Sequence, residues 1–226
     1  YMAKAEELVQ RCIHPADDIV ARQLDQPERR WSYLVFLQAL GKYLEVKREL
    51  GEIDYCFQYA RESLLHYAEW MLGNEVPYRE VLHKVELPTE TWSAHDIRKC
   101  HVLHLAARYD DRGLAAAFRE RATFFYERCL GDLATFATRN LTRPLVILCV
   151  YGHLHAYYRR IATEEADTGS QRWLHTHDFG APRAFVAQRS RIRGVLKRRL
   201  ETAWREGRRI LKDRARRVRR RPGAAP

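Results

Sequence analysis

Apolar residues in this chain recur at helical spacing, and the two-residue alternation of a half-buried strand is almost absent. Segment 28–50 is the clearest case. Trp31, Leu34, Val35, Leu37, Leu40, Tyr43, Leu44 and Val46 cover much of a helix circumference. So broad an apolar stripe belongs to a buried helix. The sequence therefore predicts an all-α fold.

Further helices are expected over 3–12, 54–72, 93–109, 112–137 and 142–161. Asp54 and the Asp110-Asp111 pair are placed to cap helix starts, and Gly51 and Gly73 to stop helices. Pro144 suits a first turn, where its missing N–H costs nothing. Ser93 and Asp96 have the S-x-x-[DE] spacing of a capping box. The turns after 50 and 109 are tight, whereas the connections 12→28 and 72→93 are long. Long connections inside a compact domain are uncommon and often functional. The array thus has a structural rim and a working rim, and helices 28–50, 93–109 and 142–161 are read as inner helices starting at the working rim.

Three parts follow: a helical body over 1–162, a connector over 163–181, and a basic tail over 182–226. The net charge of +11 is concentrated in the tail, where 183–221 carries 17 Lys/Arg against three acidic residues. The body is then mildly acidic, so the total charge says little about its ligand. In the tail, Ile192, Leu196, Leu200, Trp204, Ile210 and Leu211 keep a helical period, predicting a basic amphipathic helix. Such a helix suits a membrane surface, nucleic acid, an acidic partner, or packing on the body. No run is apolar enough for a transmembrane segment. The five cysteines show no C-x-x-C spacing, which favours reduced thiols and a cytoplasmic location over a zinc site. His101 and His104 can share a helix face, and His175 and His177 lie in the connector, but no metal and no cofactor is assigned. Gly-rich phosphate loops, G-x-S-x-G elbows and EF-hand loops are missing.

The segment 88–99 concentrates chemistry: Glu90, Trp92, His95, Asp96 and Arg98. Glu90 and Asp96 can act as an acid/base pair, with His95 as an alternative and Trp92 as an aromatic platform. The plain alternative is that Asp96 only caps, Trp92 only packs and Glu90 is solvated. Arg29, Arg30, Arg98, Arg139 and Arg143 fall near the starts of the inner helices. Arginine forks there suit an anionic group, or are simply solvated surface arginines.

An outer helix, a long loop carrying Pro88-Thr89-Glu90-Thr91-Trp92, then an inner helix resembles the six-hairpin glycosidase superfamily. Trp31-Ser32-Tyr33 and Asn140-Leu141-Thr142-Arg143-Pro144 fit the same layout. The resemblance covers about 3–162. It implies antiparallel helical hairpins forming part of an α/α toroid, with a carbohydrate substrate at the long-loop rim. It implies no cofactor. Glu90, Asp96 and His95 become the catalytic candidates of a hydrolase. Trp92, Trp31, Tyr33, Arg98 and Arg143 become binding residues for an acidic oligosaccharide. A full toroid has six hairpins and the body supplies about three, so under the resemblance the chain is either a C-terminal half of a toroid or an open helical array. The competing expectation is a non-catalytic helical scaffold that docks through its tail.

Overall fold

The computed structural model describes residues 1–137, 142–168 (165–168 by backbone alone), 177–182, and positions 196, 197, 200 and 204. Among these residues there are seven α-helices and one 3₁₀ segment, and no strand. The helices are α1 (Met2–Cys12), α2 (Pro27–Arg30), α3 (Ser32–Glu49), α4 (Tyr55–Asn74), α5 (Glu90–Tyr109), α6 (Ala115–Thr135) and α7 (Thr142–Thr168). The 3₁₀ segment, Tyr78–Lys84, lies in the connection from α4 to α5. The chain divides into two compact units, 1–182 and 183–226.

The tight turns are built as their residues dictate. Gly51 takes φ +71° after α3, and the Glu52 amide donates back to Lys47 O at 2.9 Å, which ends the helix. Asp54 then accepts from the Phe57 amide at 2.9 Å and starts α4. Lys47, fully buried, joins Asp54 (2.6 Å), Glu52 (2.7 Å) and Glu6 (3.2 Å), fastening α1 to this turn. Asp110 accepts from the amides of Leu114 (2.7 Å) and Ala115 (2.9 Å) and opens α6. Helices α3/α4 and α5/α6 pack as the two hairpins these turns allow.

Helix α5 is the axis, packed against α3, α4, the 3₁₀ segment, α6 and α7. Its apolar residues Ile97, Val102, Leu103, Leu105 and Ala106 have almost no exposure. Helix α3 approaches it closely at Gly41, where an added Cβ would fall 2.3 Å from Leu105 Cδ1. Gly→Ala inside an open helix gains up to about 1 kcal/mol. Here overpacking reverses the sign, and Gly41→Ala is expected to cost about 1–3 kcal/mol, read as a lower urea midpoint. An unchanged or raised midpoint would contradict the close α3–α5 crossing.

Several sequence expectations need correction. α5 begins at Glu90 after Thr89, so Ser93 and Asp96 lie inside the helix and form no capping box. Ser93 Oγ is buried without a hydrogen-bond partner among the described residues, and Asp96 turns to Lys99. Gly73 does not stop α4; the helix runs to Asn74, and the chain becomes extended at Glu75, ahead of Pro77. α7 runs past 161 to Thr168. The helices buried round most of their surface are α4 and α5, not α7, and not α3, whose Ser32, Val35, Ala39 and Lys42 are exposed. On α7, Ile147, Tyr158 and Ile161 face the core, whereas Leu145, Val146 and Val150 are exposed. Composition made α7 look internal, although only one of its faces is covered.

The connector expected over 163–181 is helical up to Thr168. Its end docks on the body: Phe179 packs its ring 5.5 Å from those of Tyr55 and Tyr59, and its carbonyl meets His14 Nε2 at 3.3 Å. The segments 138–141 and 169–176, with Arg139, Asn140, Leu141 and His175, lie outside the described residues, as does most of the tail. In the second unit Leu196, Lys197, Leu200 and Trp204 are helical and exposed.

Candidate functional site

Trp92, His95, Asp96 and Lys99 stand at i, i+3, i+4 and i+7, so α5 presents them as one stripe. The stripe faces the start of α3 and the connection from α4. His95 sits in an aromatic box. Its ring centroid lies 4.9 Å from Trp31 (edge-on), 5.9 Å from Trp92 and 6.4 Å from Tyr78. Trp92 is held by its Nε1–H donating to Leu87 O at 3.0 Å. Burial, reinforced by the positive charges of Arg98, Arg143 and Lys99, lowers the His95 pKa to about 4, so the ring is neutral at pH 7.

One helical turn deeper lies a charged knot. Asp96 and Lys99 are both 0% exposed, and Asp96 Oδ1 pairs with Lys99 Nζ at 2.9 Å. Lys99 also meets Glu75 Oε2 at 2.8 Å, donates to Val76 O at 2.5 Å, and sits 3.6 Å from the Tyr78 ring centroid. The Tyr78 amide donates to Asp96 Oδ2 at 3.0 Å, and the Tyr33 hydroxyl donates to Glu75. Burial pushes the Asp96 carboxyl up to about 6, and Lys99 pulls it only part of the way back. Burial works against the Lys99 charge too, but Asp96 and Glu75 outweigh it and hold its pKa above the usual value. The knot pins the strap 75–78 to α5. In this arrangement Asp96 is committed to Lys99 and a backbone amide, with no surface to offer a substrate.

The eight residues singled out by sequence therefore fall into groups. Trp31, Trp92 and His95 form the box; Tyr33 and Asp96 meet through Glu75 and Lys99. Arg98 donates to Gln38 Oε1 at 2.9 Å and lies 4.6 Å over the Tyr151 ring, while Arg143 is exposed on the first turn of α7. Glu90 is buried in the first turn of α5. Lys99, Glu75 and Tyr78 were missed. The Asp96/Lys99 spacing of three was the available signal; the strap residues gave none.

The two long connections do meet at one rim, where the Glu86 amide donates to Glu28 Oε2 at 3.1 Å. Under the first of them lies a cavity of about 380 Å³, whose lining includes Arg22, Arg29, Arg30, Tyr33 and Tyr67. Arg22 is tied to Asp17 Oδ1 at 2.7 Å, whereas Arg29 and Arg30 are exposed. Sequence reasoning named Arg29, Arg30 and Tyr33 but not Arg22, which reaches the cavity from the loop.

A second cluster was not anticipated. Cys100 and His104, one turn apart on α5, converge with His155 of α7, and one ligating atom from each lies within 4.8 Å of the others. The four-residue spacing on α5 was visible in the sequence; the partner on α7 was not.

Comparison with known protein families, curated protein sequences and solved structures finds no match. The chain is thus characterised by its own geometry: an all-helical protein with a central helix that carries a buried polar stripe and an arginine-lined cavity beside it.

Proposed function

We propose that the body, as part of an α/α toroid of the six-hairpin glycosidase type, binds an acidic oligosaccharide at the rim where its long connections meet. The observation that carries this reading is the cavity holding Arg22, Arg29 and Arg30 with Tyr33 and Tyr67. Guanidinium forks pair with carboxylates in two-point geometry, and aromatic rings cover the apolar face of a sugar. Arg29 and Arg30 would take the uronate carboxylate, with Arg22 held in place behind them by Asp17. Glu90, buried in the first turn of α5 and outside the cavity lining, is the carboxyl left for hydrolysis, while Asp96 is tied to Lys99 and serves the frame. Five free thiols fit a cytoplasmic location. No helix among the described residues is long and apolar enough to cross a membrane.

Calorimetric titration with an oligogalacturonide and with its neutral, esterified counterpart tests the reading. The acidic sugar is expected to bind, and Arg29→Ala/Arg30→Ala to weaken it by about tenfold or more, since a charged hydrogen bond is worth about 1.5–3 kcal/mol. Equal binding of both sugars, or none, would refute it. A second reading is that the chain is a scaffold docking through its tail, and it is favoured by the exposed helical Leu196, Leu200 and Trp204 within a strongly basic segment. In the same titration, a chain ending at Pro182 keeps the sugar response under the first reading. Under the second, that chain loses a salt-sensitive association with anionic surfaces.

A further inference from the structure

Cys100, His104 and His155 present three metal-ligating atoms to one small volume between α5, α6 and α7. Cys100 and His104 are four residues apart and share a face of α5, the spacing by which a helix offers two ligands to one ion. His155 answers from α7. Its Nδ1 lies 2.9 Å from His104 Nε2 and 3.6 Å from Cys100 Sγ. All three residues are buried.

The two contacts converge on one ring nitrogen. A neutral imidazole nitrogen has a single in-plane lone pair, so it cannot accept well from both a thiol and an imidazole N–H. A cation at the centre uses all three lone pairs instead. Around zinc, N ligands sit at about 2.0–2.1 Å and S at about 2.3 Å, which separates tetrahedral ligand atoms by roughly 3.3–3.7 Å. The observed 3.6 Å already matches, the 2.9 Å needs a slight opening, and the Cys100–His104 separation is within 4.8 Å.

The surroundings fix the rings as a metal site requires. Tyr126 stacks on His155 with centroids 4.1 Å apart, and Tyr158 stacks on His104 at 5.7 Å. Tyr158 is in turn anchored by donating to Glu45 Oε1 at 2.8 Å. On binding, the Cys100 thiol gives its proton to solvent and the thiolate ligates, with no change of oxidation state.

His104 also lines an open cleft of about 480 Å³, together with Arg119, Glu120, Thr123 and Arg159. Three protein ligands with a fourth position reachable from a cleft is the pattern of a zinc that handles a water or an anion. We infer that Cys100, His104 and His155 form a site for one zinc(II) ion, whose fourth ligand enters from this cleft. The site is separate from the rim cavity, so the sugar reading and this one stand or fall independently.

The test uses the full chain, freed of metal by chelator under reducing conditions and titrated with cobalt(II), then zinc(II). One equivalent of cobalt should give the near-ultraviolet thiolate-to-cobalt band and tetrahedral visible bands, which zinc abolishes. Azide should shift the visible bands through the open position. Cys100→Ser should lose the ultraviolet band, and His155→Ala should bind zinc at least about 100-fold more weakly, beyond the 10–100-fold typical of residues behind the ligands. The exposed Cys149→Ser should leave both unchanged. Zinc-edge X-ray absorption on the unaltered chain needs no variant and should show one sulfur and two imidazoles. No stoichiometric band, a band that survives Cys100→Ser, or an all-nitrogen/oxygen zinc shell would overturn the site. Insensitivity to azide would overturn the open position.

Discussion

Lys99→Met is expected to destabilise the chain by about 3–5 kcal/mol, the usual cost of leaving buried charge without its partner. The ammonium is fully buried between Asp96 (2.9 Å) and Glu75 (2.8 Å), two acidic residues on different segments. Methionine fills a similar volume, so the loss is electrostatic rather than a packing cavity. It also frees Val76 O from its donor and removes the cation from the Tyr78 ring. The strap 75–78 should loosen, and with it the Glu75 carboxylate that receives the Tyr33 hydroxyl. Urea unfolding checks the magnitude. Adding Asp96→Asn to the Lys99→Met chain should recover part of the loss, because one stranded charge is neutralised. A loss under about 1 kcal/mol, the level of an exposed ion pair, would mean the knot is solvated.

Acid should unfold the metal-free chain over an unusually mild range. Burial is the largest cause lowering His95 and His101 to about 4 and His104 to about 3. In the unfolded chain each returns to about 6.5. The unfolded state therefore binds more protons below pH 6.5. The stability these residues contribute is complete above that pH and drains as pH falls toward 4. Each group supplies a slope of about 1.4 kcal/mol per pH unit once well below 6.5, so three give about 4. Asp96 works the other way. Its carboxyl is raised to about 6, so it favours the folded state as pH falls through 6 toward its unfolded value, but it offsets only one histidine of three. The net loss between pH 6.5 and 5 is of order 3–4 kcal/mol, a large share of a typical domain's 5–15. Urea midpoints in chelator at pH 7.5, 6 and 5 test this. His101→Gln, which can keep a hydrogen bond to Gln38, should reduce the net slope by about half. A flat midpoint from pH 7.5 to 5 would mean that these imidazoles are protonated in the folded chain.

What the sequence made legible is what depends on near neighbours. Helical spacing, the left-handed turn at Gly51, the Asp54 cap and the tight α5–α6 turn are set within a few residues and came through. The S-x-x-D signal at Ser93 misled because three-residue spacing also occurs inside a helix, where Asp96 pairs with Lys99. The α7 assignment misled because composition records how apolar a helix is, not which side is covered. Of the candidate site, Trp31 and Trp92 lie at helix starts after the long connections, and His95, one turn into α5, packs between them. The strap that receives Lys99, the loop arginine Arg22 and the pairing of His104 with His155 are long-range. The last two residues are 51 positions apart and meet only because α5 and α7 pack together.

Under the proposed function, the rim cavity beside α3, rather than the buried Asp96, is where this body meets a ligand. Its most direct test is a crystal structure of the chain with an acidic oligosaccharide. The expected result is a uronate carboxylate against Arg29 and Arg30 with the sugar ring along Tyr33, and the Asp96–Lys99 pair undisturbed. Sugar bound elsewhere, or density reaching an Asp96 released from Lys99, would contradict it.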